Sequence, residues 1–66
     1  MKYLSLLQVS TGTIRIIQLD ESDIQSLENE FRDDYSAFIL TVERKYDFHG
    51  SECSWMITDH LRIDLG

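Results

Sequence analysis

Two apolar runs, residues 2–9 (KYLSLLQV) and 13–19 (TIRIIQL), are separated only by Ser10-Thr11-Gly12. This spacing constrains the chain more than any other feature. A glycine in so short a link supplies the positive φ that a tight reversal needs, and both runs are rich in Leu, Ile and Val, so they read as the arms of a β-hairpin. Neither run approaches the roughly 18 apolar residues of a membrane span. The opening MKYLSLLQV is also a poor signal peptide, because Ser5 and Gln8 interrupt it and Thr11-Gly12-Thr13 reads as a turn rather than a cleavage site. A single cysteine, Cys53, cannot form an internal disulfide and suits a reducing compartment. The expectation is a soluble, cytoplasmic protein.

The hairpin lacks a clean polar side. Tyr3, Ser5, Leu7 and Val9 fall on one face of the first arm, with Leu4 and Leu6 on the other; in the second arm Ile14 and Ile16 oppose Arg15, Ile17 and Leu19. A half-buried strand alternates apolar and polar more strictly. Either something covers both faces or the hairpin meets a second chain, so a homodimer is one expectation.

Charge is the next constraint. Residues 20–34, DESDIQSLENEFRDD, hold seven carboxylates against Arg32 alone, a net of −6; elsewhere five bases and five acids cancel, so this segment carries the whole imbalance of the chain. A negative field repels nucleic-acid phosphates and anionic membrane surfaces and attracts a basic protein partner. Ile24, Leu27, Phe31 and Tyr35 recur at helical spacing, which predicts an acidic amphipathic helix over about 21–33, capped by Asp20 or Ser22. On a helical wheel Asp23, Glu30 and Asp34 gather on one flank of that stripe with Asp33 behind them, while Glu28 and Arg32 sit i, i+4 on the other and can pair. The expectation is an outward row of unpaired carboxylates at Asp23, Glu30, Asp33 and Asp34.

Residues 36–46 fit both periods. Tyr35, Phe38, Ile39, Val42 and Tyr46 suit a helix, whereas Phe38, Leu40, Val42 and Tyr46 suit a strand; the Glu43-Arg44-Lys45 run tips the reading to a second short helix. His49-Gly50-Ser51 breaks it. Residues 53–58 then read as a closing strand with Cys53, Trp55 and Ile57 on one face and Trp55 as a core anchor. The tail HLRIDL alternates as a short edge strand would. The chain is thus expected to be one small α+β domain over residues 1–66, of a size whose stability is about 3–5 kcal/mol.

Chemistry-bearing constellations are sparse. Asp47, His49, Cys53, Asp59 and His60 lie close together in sequence, and His49, Cys53 and His60 are the candidate metal ligands, but no paired CxxC or HxxxH spacing supports zinc. A Cys53–His60 nucleophilic pair has no evident orienting group. There is no glycine-rich phosphate loop, and a chain this short seldom encloses a catalytic pocket. No cofactor is implied. The reading is a non-enzymatic interaction protein that docks a macromolecule through the acidic helix flank, the apolar sheet face, or both. The alternatives are a nucleic-acid mimic inhibiting a basic DNA-binding protein and a small metal-binding module.

Overall fold

The computed structural model describes residues 1–32 and 34–66. The two apolar runs form antiparallel strands β1 (Tyr3–Gln8) and β2 (Thr13–Gln18), with Leu4 opposite Ile17 and Leu7 opposite Ile14. Gly12 sits at φ 66° in the reversal, and its N–H donates to the Val9 carbonyl at 3.3 Å. Strand β3 (Ser54–Thr58) pairs antiparallel with the other edge of β1, giving the order β2-β1-β3. The first run of the sequence is therefore the central strand. The fold is α+β.

The acidic segment does not form one helix over 21–33. Helix α1 (Glu21–Gln25) passes into a π-helical turn, Ser26–Glu30, where the Phe31 N–H donates to the Ser26 carbonyl five residues back at 3.1 Å. Arg32 then adopts φ 48° and the chain reverses. Glu28 and Glu30 stand where the helix dipole is negative, and no basic residue sits in this last turn to offset them, so continuing the helix is unfavourable. Tyr35 consequently belongs to the next element and not to the stripe of Ile24, Leu27 and Phe31. Asp34, read from sequence as a late acid of the first helix, is the N-cap of the second: its carboxylate accepts from the Ala37 N–H at 3.3 Å.

Residues 36–46 resolve as helix, within α2 (Tyr35–Tyr46). Phe38, Ile39 and Val42 are buried from this helix, and its ends outweigh the strand propensity of its composition. At the C-terminus Asp47 takes a left-handed φ of 57° and Arg44 and Lys45 occupy the last turn. Arg15 reaches across from β2 to donate to the carbonyls of Tyr46 and Asp47. A short 3-10 turn, Gly50–Glu52, leads into β3. Gly50 permits a close approach here, because its N–H donates to the Glu43 carboxylate at 2.7 Å and a Cβ would lie 2.8 Å from the same oxygen.

The helices cover one face of the sheet. Leu4, Leu6, Ile17 and Leu19 from the sheet side meet Leu27, Phe38, Ile39, Val42 and Phe48, with Trp55 and Ile57 packed against them as expected. Phe38, Leu4 and Leu27 are the largest fully buried side chains, each worth about 1.5–3 kcal/mol of apolar burial. Phe31 meets Phe38 edge-on, with centroids 6.1 Å apart. Among the described residues no helix is long and apolar enough to cross a membrane.

Candidate functional site

The second face of the sheet follows from register alone. Side chains alternate along a strand, so Leu4 and Leu6, with their partners Ile17, Ile57 and Trp55, point to the helices. The opposite face is made by Tyr3, Ser5 and Leu7 of β1, Ile14, Ile16 and Gln18 of β2, and Ser54, Met56 and Thr58 of β3. None of these nine positions carries a charge, in a chain that is 27% charged. Ile14 is 67% exposed, Met56 50% and Leu7 40%.

The tail after β3 forms no strand. It crosses this outer face instead, where Leu61, Arg62, Ile63 and Asp64 wall an open groove of about 180 Å3 whose floor is Ser5, Leu7, Ile14, Ile16 and Met56. The alternation of Leu61 and Ile63 thus serves packing onto a sheet face rather than edge pairing. A neighbouring depression of about 230 Å3, lined by Leu7, Val9, Gly12 and Ile14, shares Leu7 and Ile14 with the groove and continues it towards the hairpin loop. Ser5, at 2% exposure, is buried in the central strand, and its hydroxyl makes no hydrogen bond within the described residues; nor does the buried hydroxyl of Thr58, two positions beyond the partner of Ser5 on β3. An unmet buried hydroxyl costs about 1–3 kcal/mol, so this face is not an optimised interior.

The expected row of outward carboxylates is broken. Asp23 is only 6% exposed. Its carboxylate accepts from the Tyr46 hydroxyl, from Lys45 Nζ at 3.0 Å and from the Asp20 N–H at 3.4 Å. Asp20, the N-cap of α1, accepts in turn from the Asp23 N–H at 2.9 Å and from Lys45 at 2.7 Å. One lysine therefore clasps the start of α1 to the end of α2. The Lys45 bond holds the Asp20 carboxyl below the ordinary carboxylate value, and the Asp20 bond holds the Lys45 ammonium above its own; burial, then the Asp23 bond, pushes the Tyr46 phenol up. Of the four candidate docking acids, Glu30 is exposed, Asp34 is exposed but engaged as a cap, Asp23 is buried, and Asp33 lies outside the described residues. Among the described residues Glu28 and Arg32 form no ion pair; Lys2–Asp59 at 2.6 Å is the pair found outside the clasp. On the described residues these acids do not form a regular line of charge along one helix axis.

The candidate metal ligands are not gathered. His49 and Cys53 line one cleft of about 140 Å3 with Arg15, Asp47 and Glu52, and His60 lies outside it. Among the described residues no group of three or more His, Cys, Asp or Glu is placed to hold a metal ion. That cleft is also smaller than the roughly 300–1,000 Å3 of ligand pockets.

Sequence reasoning missed the clasp and the position of the tail. Asp34 had a legible signal, since an Asp three residues before Ala37 at the start of an apolar period is a capping pattern. The Asp23–Lys45 contact spans 22 residues and has no local signature. Comparison with known proteins adds nothing to this geometry: no family model, no curated protein and no solved structure matches the chain.

Proposed function

We propose that this chain is a small non-enzymatic interaction protein that docks a protein partner through the uncharged face of its sheet. The observation that carries the reading is the absence of charge at all nine outward strand positions, together with the exposed apolar side chains Leu7, Val9, Ile14, Met56, Leu61 and Ile63 around them. Contiguous exposed apolar surface rimmed by polar groups is characteristic of association sites. The acids on the helical layer keep such a protein soluble and away from nucleic acid and anionic membranes. Glu21, Glu28 and Glu30 remain exposed there, away from the docking face. A lone thiol fits a reducing, cytoplasmic setting.

The test is affinity capture from the native host with three baits: the unaltered chain, Ile14→Lys with Met56→Lys, and Glu28→Gln with Glu30→Gln. The sheet-face bait is expected to lose the captured partner with its circular dichroism unchanged. The acidic-face bait is expected to keep it. A partner retained by the sheet-face bait and lost by the acidic-face bait would overturn the reading.

A further inference from the structure

We infer that the partner of the uncharged face is a second copy of this chain, docked face to face about a two-fold axis; this rests on the docking reading above. Charge complementarity selects the occupant. A surface with no charge at its nine strand positions is complementary to itself, as an isologous interface must be. It gives a strongly basic or acidic partner nothing to pair with. At the rim the tail supplies one charge of each sign, Arg62 and Asp64, on the same groove. A two-fold axis through that groove brings Arg62 of one copy towards Asp64 of the other. Any partner of single sign meets one of the two with repulsion.

The net charge of −6 does not oppose this arrangement, because of where it lies. The acidic segment sits in the helical layer, on the far side of the sheet. Two sheets docked through this face are at least about 10 Å apart, more where the tails lie between them, and with helices packed about 8–10 Å behind each the two acidic layers are at least about 25–30 Å apart. That is at least about three Debye lengths at physiological salt. Docking through the helical side would bring the same charges into contact.

The size of the face sets the strength. Three strands of five or six residues span about 15 × 20 Å at ~4.8 Å between strands and ~3.4 Å per residue. This is below the roughly 800 Å2 per partner of a standard interface. The hairpin loop and tail add to it, and the dimer is expected to be weak, dissociating at about 10–100 µM.

Sedimentation equilibrium of the full chain between about 1 µM and 1 mM decides the matter, in a range chosen to bracket that strength. The expected result is a weight-average mass rising from 7.8 kDa towards twice that value. Ile14→Lys and, separately, Met56→Glu are expected to weaken self-association at least about tenfold, each more than 1.4 kcal/mol. Both positions are half or more exposed in the single chain, so unchanged circular dichroism is expected. Leu40→Lys, an equally exposed apolar position on α2, is expected to leave the dimer intact. A chain that stays at monomer mass up to 1 mM overturns the inference, as does a dimer insensitive to both sheet-face changes or broken by Leu40→Lys. A monomer that still captures a host protein in an Ile14-dependent way removes self-association and leaves the docking reading standing.

Discussion

Replacing Asp23 with alanine separates the buried clasp from the outward acidic ridge that helical periodicity suggests. In the structure the Asp23 carboxylate receives three donors: the Tyr46 hydroxyl, Lys45 and the Asp20 N–H. Lys45 is 43% exposed at its side chain and retains Asp20, and Asp20 is exposed, so both re-solvate. The hydroxyl of the half-buried Tyr46 does so less completely. A hydrogen bond to a charged group contributes about 1.5–3 kcal/mol, and stranding its buried partner forfeits about 1–3 kcal/mol. These overlap, and Asp23→Ala should cost about 2–3 kcal/mol. Against a total of about 3–5 kcal/mol, this brings the variant to the edge of folding. With a urea slope of about 1 kcal/mol/M for a small domain, the unfolding midpoint should fall by about 2–3 M. Glu30→Ala, at an exposed position, should stay within about 0.5 kcal/mol. Tyr46→Phe combined with Asp23→Ala should cost less than the two changes summed, with a coupling of about 1 kcal/mol or more. Equal midpoints for Asp23→Ala and Glu30→Ala would refute the clasp and restore the ridge.

Two further outcomes are expected. Gly12→Ala places a Cβ at φ 66° with open space around it, so only backbone strain of about 1 kcal/mol is felt, and Tm read by calorimetry should drop by about 4–8 °C; an unchanged Tm would mean the turn does not hold that conformation. For pH, Asp20 has a lowered value in the fold because of its Lys45 bond, so the stability it contributes is present above its ordinary 3.8 and is lost as pH falls below that. Tyr46 has a raised value because of burial and its Asp23 bond, so its contribution is present below its ordinary 10.0 and is lost as pH rises beyond it. Urea midpoints across pH should therefore fall at both ends, and Tyr46→Phe should lessen the alkaline fall, to which Lys45, raised by its Asp20 bond, also contributes, and leave the acid one.

What the sequence revealed was local. The hairpin was legible because Gly12 breaks two apolar runs, and the helix over 36–46 only through the Glu43-Arg44-Lys45 run, since its apolar residues fit both periods. The break after Phe31 was hidden by coincidence: Ile24, Leu27, Phe31 and Tyr35 are spaced as one helix would space them, although a π-helical turn and a left-handed Arg32 intervene. The clasp was invisible because it joins residues more than twenty positions apart, and charge counting assigns every exposed-looking acid to solvent. The doubt over the hairpin faces was well placed, since Ile14 and Ile16 do lie on a face that only the tail partly covers. The course of the tail itself was not legible, because Leu61 and Ile63 alternate equally well along an edge or across a face.

The central place of β1 also governs the timing of folding during biosynthesis. Its partner β2 follows after one short turn, but its other partner does not: Tyr3 waits for Thr58, and Leu7 for Ser54. A chain made from its N-terminus thus holds one long side of β1 without its partner until residues 54–58 have been made, and a bare strand side is a template for stray pairing. The seven acids of residues 20–34 emerge directly behind that hairpin. That charge adds mutual repulsion between nascent chains while the side is still open, before the closing strand arrives to occupy it.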